Sequence, residues 1–591
     1  MKKLNLRFIG ITGLIAAVSL VSGVLNAQES KFTITPHKRT HLQTRTEYPV
    51  KAYFPIKDKN ISNIQLDLHL QCPDRGCSDW DYSINVVLRS FKDGKTTDYQ
   101  LGRMITPYSG WYNQGDNAPK WDRIWSWNIT EYYPLLTDTV EIVMQYEGYQ
   151  DGFLATTDFI FTENDPKIKK NDKRFIGVEQ IYYSYYPFGR EDSTIDQFLG
   201  TKKVVLPKGT KKVLSRIQIS GHGGDTLNAA AEFLEKRFVY VANKKLVANS
   251  AVWRDDCGCN PIQPQGGTWI YKRAGWCPGT KVQEEYYDLT PFVEGNELNV
   301  EMLFEYYNNQ GLGEPGYQIA NELFFIGDKD YRHKEIDDKF GAGRDNKQET
   351  EEVHYLPNKF NLVFKTNKMA DDKYSVLEGT SRGQNGGCCG KDAASNVLSY
   401  EKKLYERSQM APNTKYVQEV DVKDGEYMIR IEDDGCDGFS WWANPDQGEG
   451  YALIYNEDMT EVLETFEPDF GCKVEYRFVA TSDNSKVKHS KAKLAALNDA
   501  DNSEYRIIFF NADNEENEMT VKIMNRRSKE DVMEKTFGKK STFDEVIDYS
   551  ELDDGYYRAE IKCGDYHEYK YFVKRKQYFC VKMYRKNNTA F

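Results

Sequence analysis

Apolar and polar residues alternate along this chain in short runs rather than in helical stripes. IQLDLHL from position 64, TVEIVMQY from 139, VLSRIQIS from 213, RFVYVA from 237, YMIRIED from 427, MTVKIM from 519 and YRAEIK from 557 read as strands. In such runs residues i and i+2 share a face, which suits a half-buried sheet. ELNVEML alternates likewise, while YSINVVL, KKVVLP and YRIIFF hold short apolar runs. Many strands of this length separated by turns predict an all-β chain of packed sandwiches. Few segments hold a helical period for three turns, and no internal repeat stands out.

Three charged, apolar-poor stretches interrupt the pattern, at 162–174, 327–352 and 482–503. Segments of that composition bury too little apolar area to order themselves strongly, so they predict joints. The expected division is a leader at 1–27, β domains at 28–165 and 170–328, a linker at 329–355, a cysteine-containing β module at 356–481, a second linker at 482–503 and a C-terminal β module at 504–591. A 591-residue chain accommodates that many units at the usual ~100–200 residues each.

The first residues combine two lysines, an apolar stretch and a small-residue Leu-Asn-Ala ending, the layout of a secretory signal peptide cleaved after Ala27. No later segment approaches the ~20 apolar residues that span a bilayer. The expectation is an exported monomer, periplasmic or secreted and open to surface association. Export into an oxidising compartment makes disulfides the default reading of the 11 cysteines, and the odd count leaves at least one free or intermolecular. Cys388 and Cys389 are candidates to pair with Cys436 and Cys472, and Cys563 with Cys580. A formal charge of -12 argues against nucleic acid, which calls for a basic face rather than an acidic surplus. The 40 Tyr, 30 Phe and 10 Trp suit sandwich cores, and also suit stacking on sugar rings.

Candidate chemistry narrows quickly. The eight histidines are scattered, and only His37 and His41 have a ligand-like spacing, without a third partner, so no metal site is expected. The acidic loop DDGCDG at 433–438 offers oxygen ligands but lacks the EF-hand spacing, and reads as a turn stapled by Cys436. There is no Gly-x-Ser-x-Gly elbow, and SGHGGD at 220–225 is not a phosphate loop. Carboxylates remain. In CPDRGCSDWDY, Asp79 and Asp81 stand two apart and point the same way if a strand has begun, with Trp80 opposite. Glu147 ends a strand among Tyr146 and Tyr149, and Glu232 lies in NAAAEFLEKRF.

CPDRGCSDWD, SGHGG, CGCNPIQPQGGTW and KRAGWCPG, in this order, resemble the peptide-N-glycosidase F family, over about residues 72–327. The resemblance implies two adjacent jelly-roll β-sandwiches as the catalytic unit, with the two C-terminal modules outside it. It implies hydrolysis of the amide between asparagine and the innermost N-acetylglucosamine of an N-linked glycan, on glycoproteins and glycopeptides, with no cofactor. Carried over residue by residue, the principal catalytic acid falls on Asp81, with Glu232, Glu147 and Arg273 beside it. Trp80, Tyr82, Tyr149, His222 and Trp276 fall on the substrate cleft, and the implied disulfides are Cys72–Cys77 and Cys257–Cys277. Several positions depart from the family pattern. Tyr149, His222 and Phe233 stand where tryptophans are found, Tyr82 replaces an arginine, and Ala230 and Leu234 replace a disulfide that braces the second glutamate. These departures leave a glycan-binding, lectin-like jelly roll as the alternative.

Overall fold

The computed structural model describes residues 30–574 except 58, 74–76, 93, 110–121, 165–173, 191, 227–228, 264, 339, 347–352, 382–397, 442–446, 488–491, 500–502, 512–514 and 526–527. The leader, Cys388, Cys389, Cys580 and most of the first expected joint lie outside these residues. Strand makes up 57% and helix 5%, and the runs singled out above lie in strands apart from Tyr82 at the start of YSINVVL and Leu206-Pro207 at the end of KKVVLP. Among the described residues no helix is long and apolar enough to cross a membrane.

The first sandwich packs the sheet Ser30–His41, Leu154–Glu163, Ile61–Gln71 and Asp122–Asn128 against Thr46–Phe54, Asp138–Tyr146, Ser83–Lys92 and Lys95–Ile105. Numbered within the sandwich, the strand orders are 1-8-3-6 and 2-7-4-5. Phe175–Pro187, Gly316–Ile326, Lys212–His222 and Glu284–Asp288 face Lys202–Val205, Glu297–Phe304, Lys236–Ala242 and Lys245–Val252 in the same two orders. Both are therefore eight-stranded jelly rolls. Their cores are separate, one around Leu66, Ile84, Trp127 and Phe159, the other around Ile217, Tyr240, Val300 and Tyr317. Two further sandwiches follow, with cores around Phe364 and Ile429 and around Val521 and Ile561.

The jelly rolls meet through apolar side chains, Phe324 packing edge-on to Tyr132 with ring centres 5.0 Å apart, and through polar groups. Arg216 Nη1 donates to Gln100 O at 2.7 Å and Tyr132 Oη at 2.9 Å and lies 3.4 Å from Glu322 Oε2. Arg103 Nη1 donates to Ser220 Oγ and Gln318 O, both at 2.9 Å. Arg103, Arg216, Gln100, Gln218 and Glu322 are all buried. Burial pushes the Glu322 carboxyl up to about 7, against the pull of Arg216. Directional bonds of this kind fix a relative orientation that an apolar contact would leave free to slide.

Both later joints are more ordered than their composition suggests. Within 329–355, Tyr331 Oη donates to Glu131 at 2.6 Å, His333 Nδ1 lies 2.7 Å from the same oxygen, and Arg344 Nη2 donates to Asp67 at 2.8 Å. Arg344–Asp345 even adds a short strand to the first sandwich, beside Asp122–Asn128. The segment is tied down by charged and polar partners, which a criterion of apolar area misses. Ala492–Asp499, placed in the second linker, is the first strand of the last sandwich. Cys436 and Cys472 pair with each other.

Replacing Arg216 with Met keeps volume but leaves Glu284 and buried Glu322 without their cation. Chemical denaturation of the full chain should show a loss of ~3–5 kcal/mol. Arg430→Met, whose pair with Glu475 is partly solvated, should cost under ~1 kcal/mol.

Candidate active site

The strand Ser83–Lys92 begins two residues after Asp81, so the alternation rule does not yet apply to the two aspartates. They diverge. Asp79 turns toward Gln150, whose Oε1 accepts its backbone N–H at 3.1 Å. Residues 80–82 are clamped to buried Thr106: its hydroxyl donates to Trp80 O and accepts from Tyr82 N, both at 2.8 Å, and its own N–H donates to Tyr82 O at 2.9 Å. With the backbone pinned on both sides, the Asp81 carboxyl points the other way and accepts from Tyr108 Oη at 2.8 Å. The Cys72–Cys77 disulfide closes the approach to this segment.

The second jelly roll supplies the partners. Past the end of Lys212–His222 the chain folds back, and Glu232 N donates to Gly223 O at 3.0 Å. Glu232 O accepts from Ala274 N at 2.8 Å, and Gly221 N donates to Ala274 O at 2.9 Å, so the Glu232 bend and the Arg273 segment share one backbone network. Only glycine fits at 221, because a Cβ there would lie 2.5 Å from Ala231 O and 2.7 Å from the Ala274 methyl. The Cys257–Cys277 disulfide closes the loop that carries Arg273.

Arg273 is fully buried, with its guanidinium 4.5 Å from the Trp276 ring and 4.9 Å from that of Phe233. Its Nη1 lies 3.1 Å from Glu232 Oε1 and 3.5 Å from Asp81 Oδ2, while Nη2 is held by Thr268. One cation thus faces two carboxylates, one from each sandwich. Burial raises the Asp81 carboxyl, against the pull of Arg273 and of the Tyr108 hydrogen bond. Burial, with repulsion from Asp81 added, pushes Glu232 up to about 7 despite Arg273. Burial acts to lower Arg273, but Tyr108, Glu232 and Asp81 outweigh it and keep it charged. Near neutral pH the pair therefore retains a proton that two isolated carboxylates would have lost, the condition for acid and base roles at one site.

Beside this group, His222 stacks on Trp276 with ring centres 5.4 Å apart, and its Nε2 lies 2.7 Å from Ser220 Oγ. Burial, helped by Arg103 and Arg273, pushes its pKa down to about 3, so it is neutral. Glu147 belongs to a second polar group. Its Oε1 accepts from Asn85 at 3.0 Å and from Gln318 at 3.1 Å, and Gln318 O binds Arg103.

Comparison with known proteins bears on this arrangement. Residues 192–316 match the family model described as Peptide-N-glycosidase F, C terminal. Over 286 residues, 45% of this chain and 75% of the relative, the sequence is 27% identical to Peptide-N(4)-(N-acetyl-beta-D-glucosaminyl)asparagine amidase F of Elizabethkingia miricola. These matches support a likeness to the peptide-N-glycosidase F family over this part of the chain. The solved structure of PNGase F, a glycosylasparaginase from Flavobacterium meningosepticum, is 22% identical with a TM-score of 0.42, over 52% of this chain and 99% of that one. PNGF-II is 16% identical with a TM-score of 0.40, over 51% and 66%.

The expected site residues fall into four settings, with His222 on Trp276 beside them. Asp81 and Glu232 both contact Arg273, and Glu147 stands exposed in the neighbouring group. Trp80 and Tyr149 are 43% and 58% exposed, open to a ligand. Tyr82 and Trp276 differ from the expectation of a cleft surface. Tyr82 is buried in the first core, edge-on beneath Tyr149, and Trp276 is buried under the Arg273 guanidinium. Both support neighbours instead of offering a face.

Sequence reading missed Tyr108, Thr106, Thr268, Asn85, Gln318 and Arg103, which reach the site from other turns and strands. It also missed Tyr185, 47% exposed and close enough to Glu232 to feel its charge. No local motif marks them; their roles follow from the meeting of two sheets.

Tyr108→Phe removes the donor to Asp81. A hydrogen bond to a charged group is worth ~1.5–3 kcal/mol, so the Asp81 titration, followed by carboxyl 13C NMR, should move up by ~1–2 units. Glu232 gives a second test. A carboxyl raised from 4.5 to about 7 on folding holds a proton that the unfolded chain releases between those values. Its contribution to stability is therefore greatest below about 4.5 and declines as pH rises toward about 7. Glu232→Gln should flatten the stability-versus-pH curve in that window.

Proposed function

We propose that the protein hydrolyses the amide between asparagine and the innermost N-acetylglucosamine of N-linked glycans, outside the cytoplasm, on glycoproteins and glycopeptides. The observation that carries this reading is the meeting of Asp81 and Glu232, one from each jelly roll, on a single nitrogen of buried Arg273. The named activity of the relative that shares 27% identity supports it.

Amide hydrolysis needs an activated water, a stabilised carbonyl oxygen and a proton for the leaving nitrogen. Asp81, ionised and steered by Tyr108, accepts a proton from water as the water oxygen bonds to the amide carbon and the carbonyl electrons move onto oxygen. Glu232 carries the retained proton and delivers it to the glycosyl nitrogen as the C–N bond breaks, leaving aspartate and a glycosylamine. Asp81 then returns its proton to the pair through solvent. Arg273 has no exposed surface, and acts as a positioning residue that sets the separation and charge of both acids. Glu147, held by Asn85 and Gln318, is placed to accept from sugar hydroxyls. Trp80, Tyr149 and Tyr185 offer faces on which pyranose rings stack.

The test is mass spectrometry of a defined N-glycopeptide, reading conversion of Asn to Asp. Asp81→Asn keeps shape and removes the base, and should lower the rate by ~100-fold or more while circular dichroism stays unchanged. A near-wild-type rate in that variant would refute the role of Asp81. Stoichiometric binding of the glycopeptide by wild type without conversion would refute the amidase and leave the glycan-binding alternative.

A further inference from the structure

The third sandwich contains a buried cluster of aspartates that the amidase chemistry does not use. Its strands Asp372–Ser381 and Gly425–Asp433 pair so that Asp372 lies opposite Asp433, a like-charge pairing that destabilises a ladder unless something compensates. Asp372 is 1% exposed, and neither of its carboxylate oxygens has a hydrogen-bond partner. Asp371 Oδ1 is likewise buried and unpartnered. Beyond the strand, the turn at 433–438 brings in Asp437, also buried. A Cβ on Gly435 would lie 2.6 Å from Asp371 Oδ2 and 3.3 Å from both Asp433 Oδ1 and Asp437 Oδ1, so three carboxylates converge there, that of Asp433 also accepting from the backbone N–H groups of Gly435, Asp437 and Gly438.

Lys373, next along the strand, turns away to pair with Asp434. Uncompensated charges in such a setting cost several kcal/mol each, and buried charges are normally paired or bound to metal.

We propose that Asp371, Asp372, Asp433 and Asp437 form a calcium site. Calcium takes six to eight oxygens in flexible geometry, including carboxylates in one- or two-oxygen contact, whereas magnesium demands a compact octahedron and keeps much of its water. The site is invisible to loop-motif reading because its ligands come from two separate segments. One of these segments also packs on the amidase unit. Cys436 lies in the turn and is bonded to Cys472, whose N–H donates to Gly258 O at 2.8 Å in the loop that carries Arg273. Trp441, just beyond the turn, stands edge-on to Tyr271 of that loop at 5.2 Å. A cation here would stiffen the surface on which the active-site loop rests.

The experiment uses the full chain, stripped with a chelator and dialysed, titrated with calcium chloride by calorimetry and followed by thermal unfolding. Wild type should bind one calcium per chain and melt higher with calcium than without. Asp372→Asn is shape-conserving and relieves repulsion, so its metal-free form should melt at or above metal-free wild type. It should bind calcium at least tenfold more weakly and lose most of the calcium-dependent shift. Absence of heat and of any shift in wild type at millimolar calcium would overturn the proposal, as would an undiminished response in Asp372→Asn. An equal response to magnesium would overturn the assignment to calcium. None of these readouts depends on the amidase activity.

Discussion

The arrangement turns on one buried cation. Arg273 Nη1 is shared by Glu232 from its own jelly roll and Asp81 from the neighbouring one. Without that guanidinium two carboxylates could not be kept close in a site this poor in water, and without two carboxylates the guanidinium could not be buried. The charge balance is deliberately short by one. The missing positive charge is made up by a proton, which gives the pair its elevated titration and its capacity for both acid and base work.

Such a group demands a rigid frame, since catalytic groups ~1 Å out of place lose on the order of 100-fold in rate. The frame is built in layers. Thr106 fixes the backbone around Asp81, the close approach at Gly221 fixes Glu232 against the Arg273 loop, and the Arg103 and Arg216 networks fix one sandwich on the other. Contacts from Tyr271 to Phe233 and to Trp441 extend this frame into the third sandwich, whose turn lies against the same loop. The aromatic contact of Tyr271 with Phe233, beside Ala230 and Leu234, supports the Glu232 side of the cleft.

Strands and sandwich class were legible because alternation is a local signal. Cys72–Cys77 and Cys257–Cys277 are disulfides as the family resemblance implied. The contact among Asp81, Glu232 and Arg273 was available only through that resemblance; nothing in the spacing of positions 81, 232 and 273 brings them together. Tyr108, Gln318 and Arg103 were not legible at all, since each acts across the seam between two sheets. The segment at 329–345 was misread as a joint because Tyr331, His333 and Arg344 order it through polar partners. Tyr82 and Trp276, expected at the substrate cleft, lie buried against Tyr149 and the Arg273 guanidinium. The turn at 433–438 looked ordinary because its companion, Asp371 and Asp372, is distant in sequence.

The most direct measurement is to incubate wild type with an N-glycopeptide in 18O-labelled water and sequence the peptide product by mass spectrometry. Amide hydrolysis at the glycosylated asparagine predicts aspartate at that position carrying one 18O atom, with the glycan released whole. An asparagine still bearing N-acetylglucosamine, or intact glycopeptide after prolonged incubation, would contradict the account.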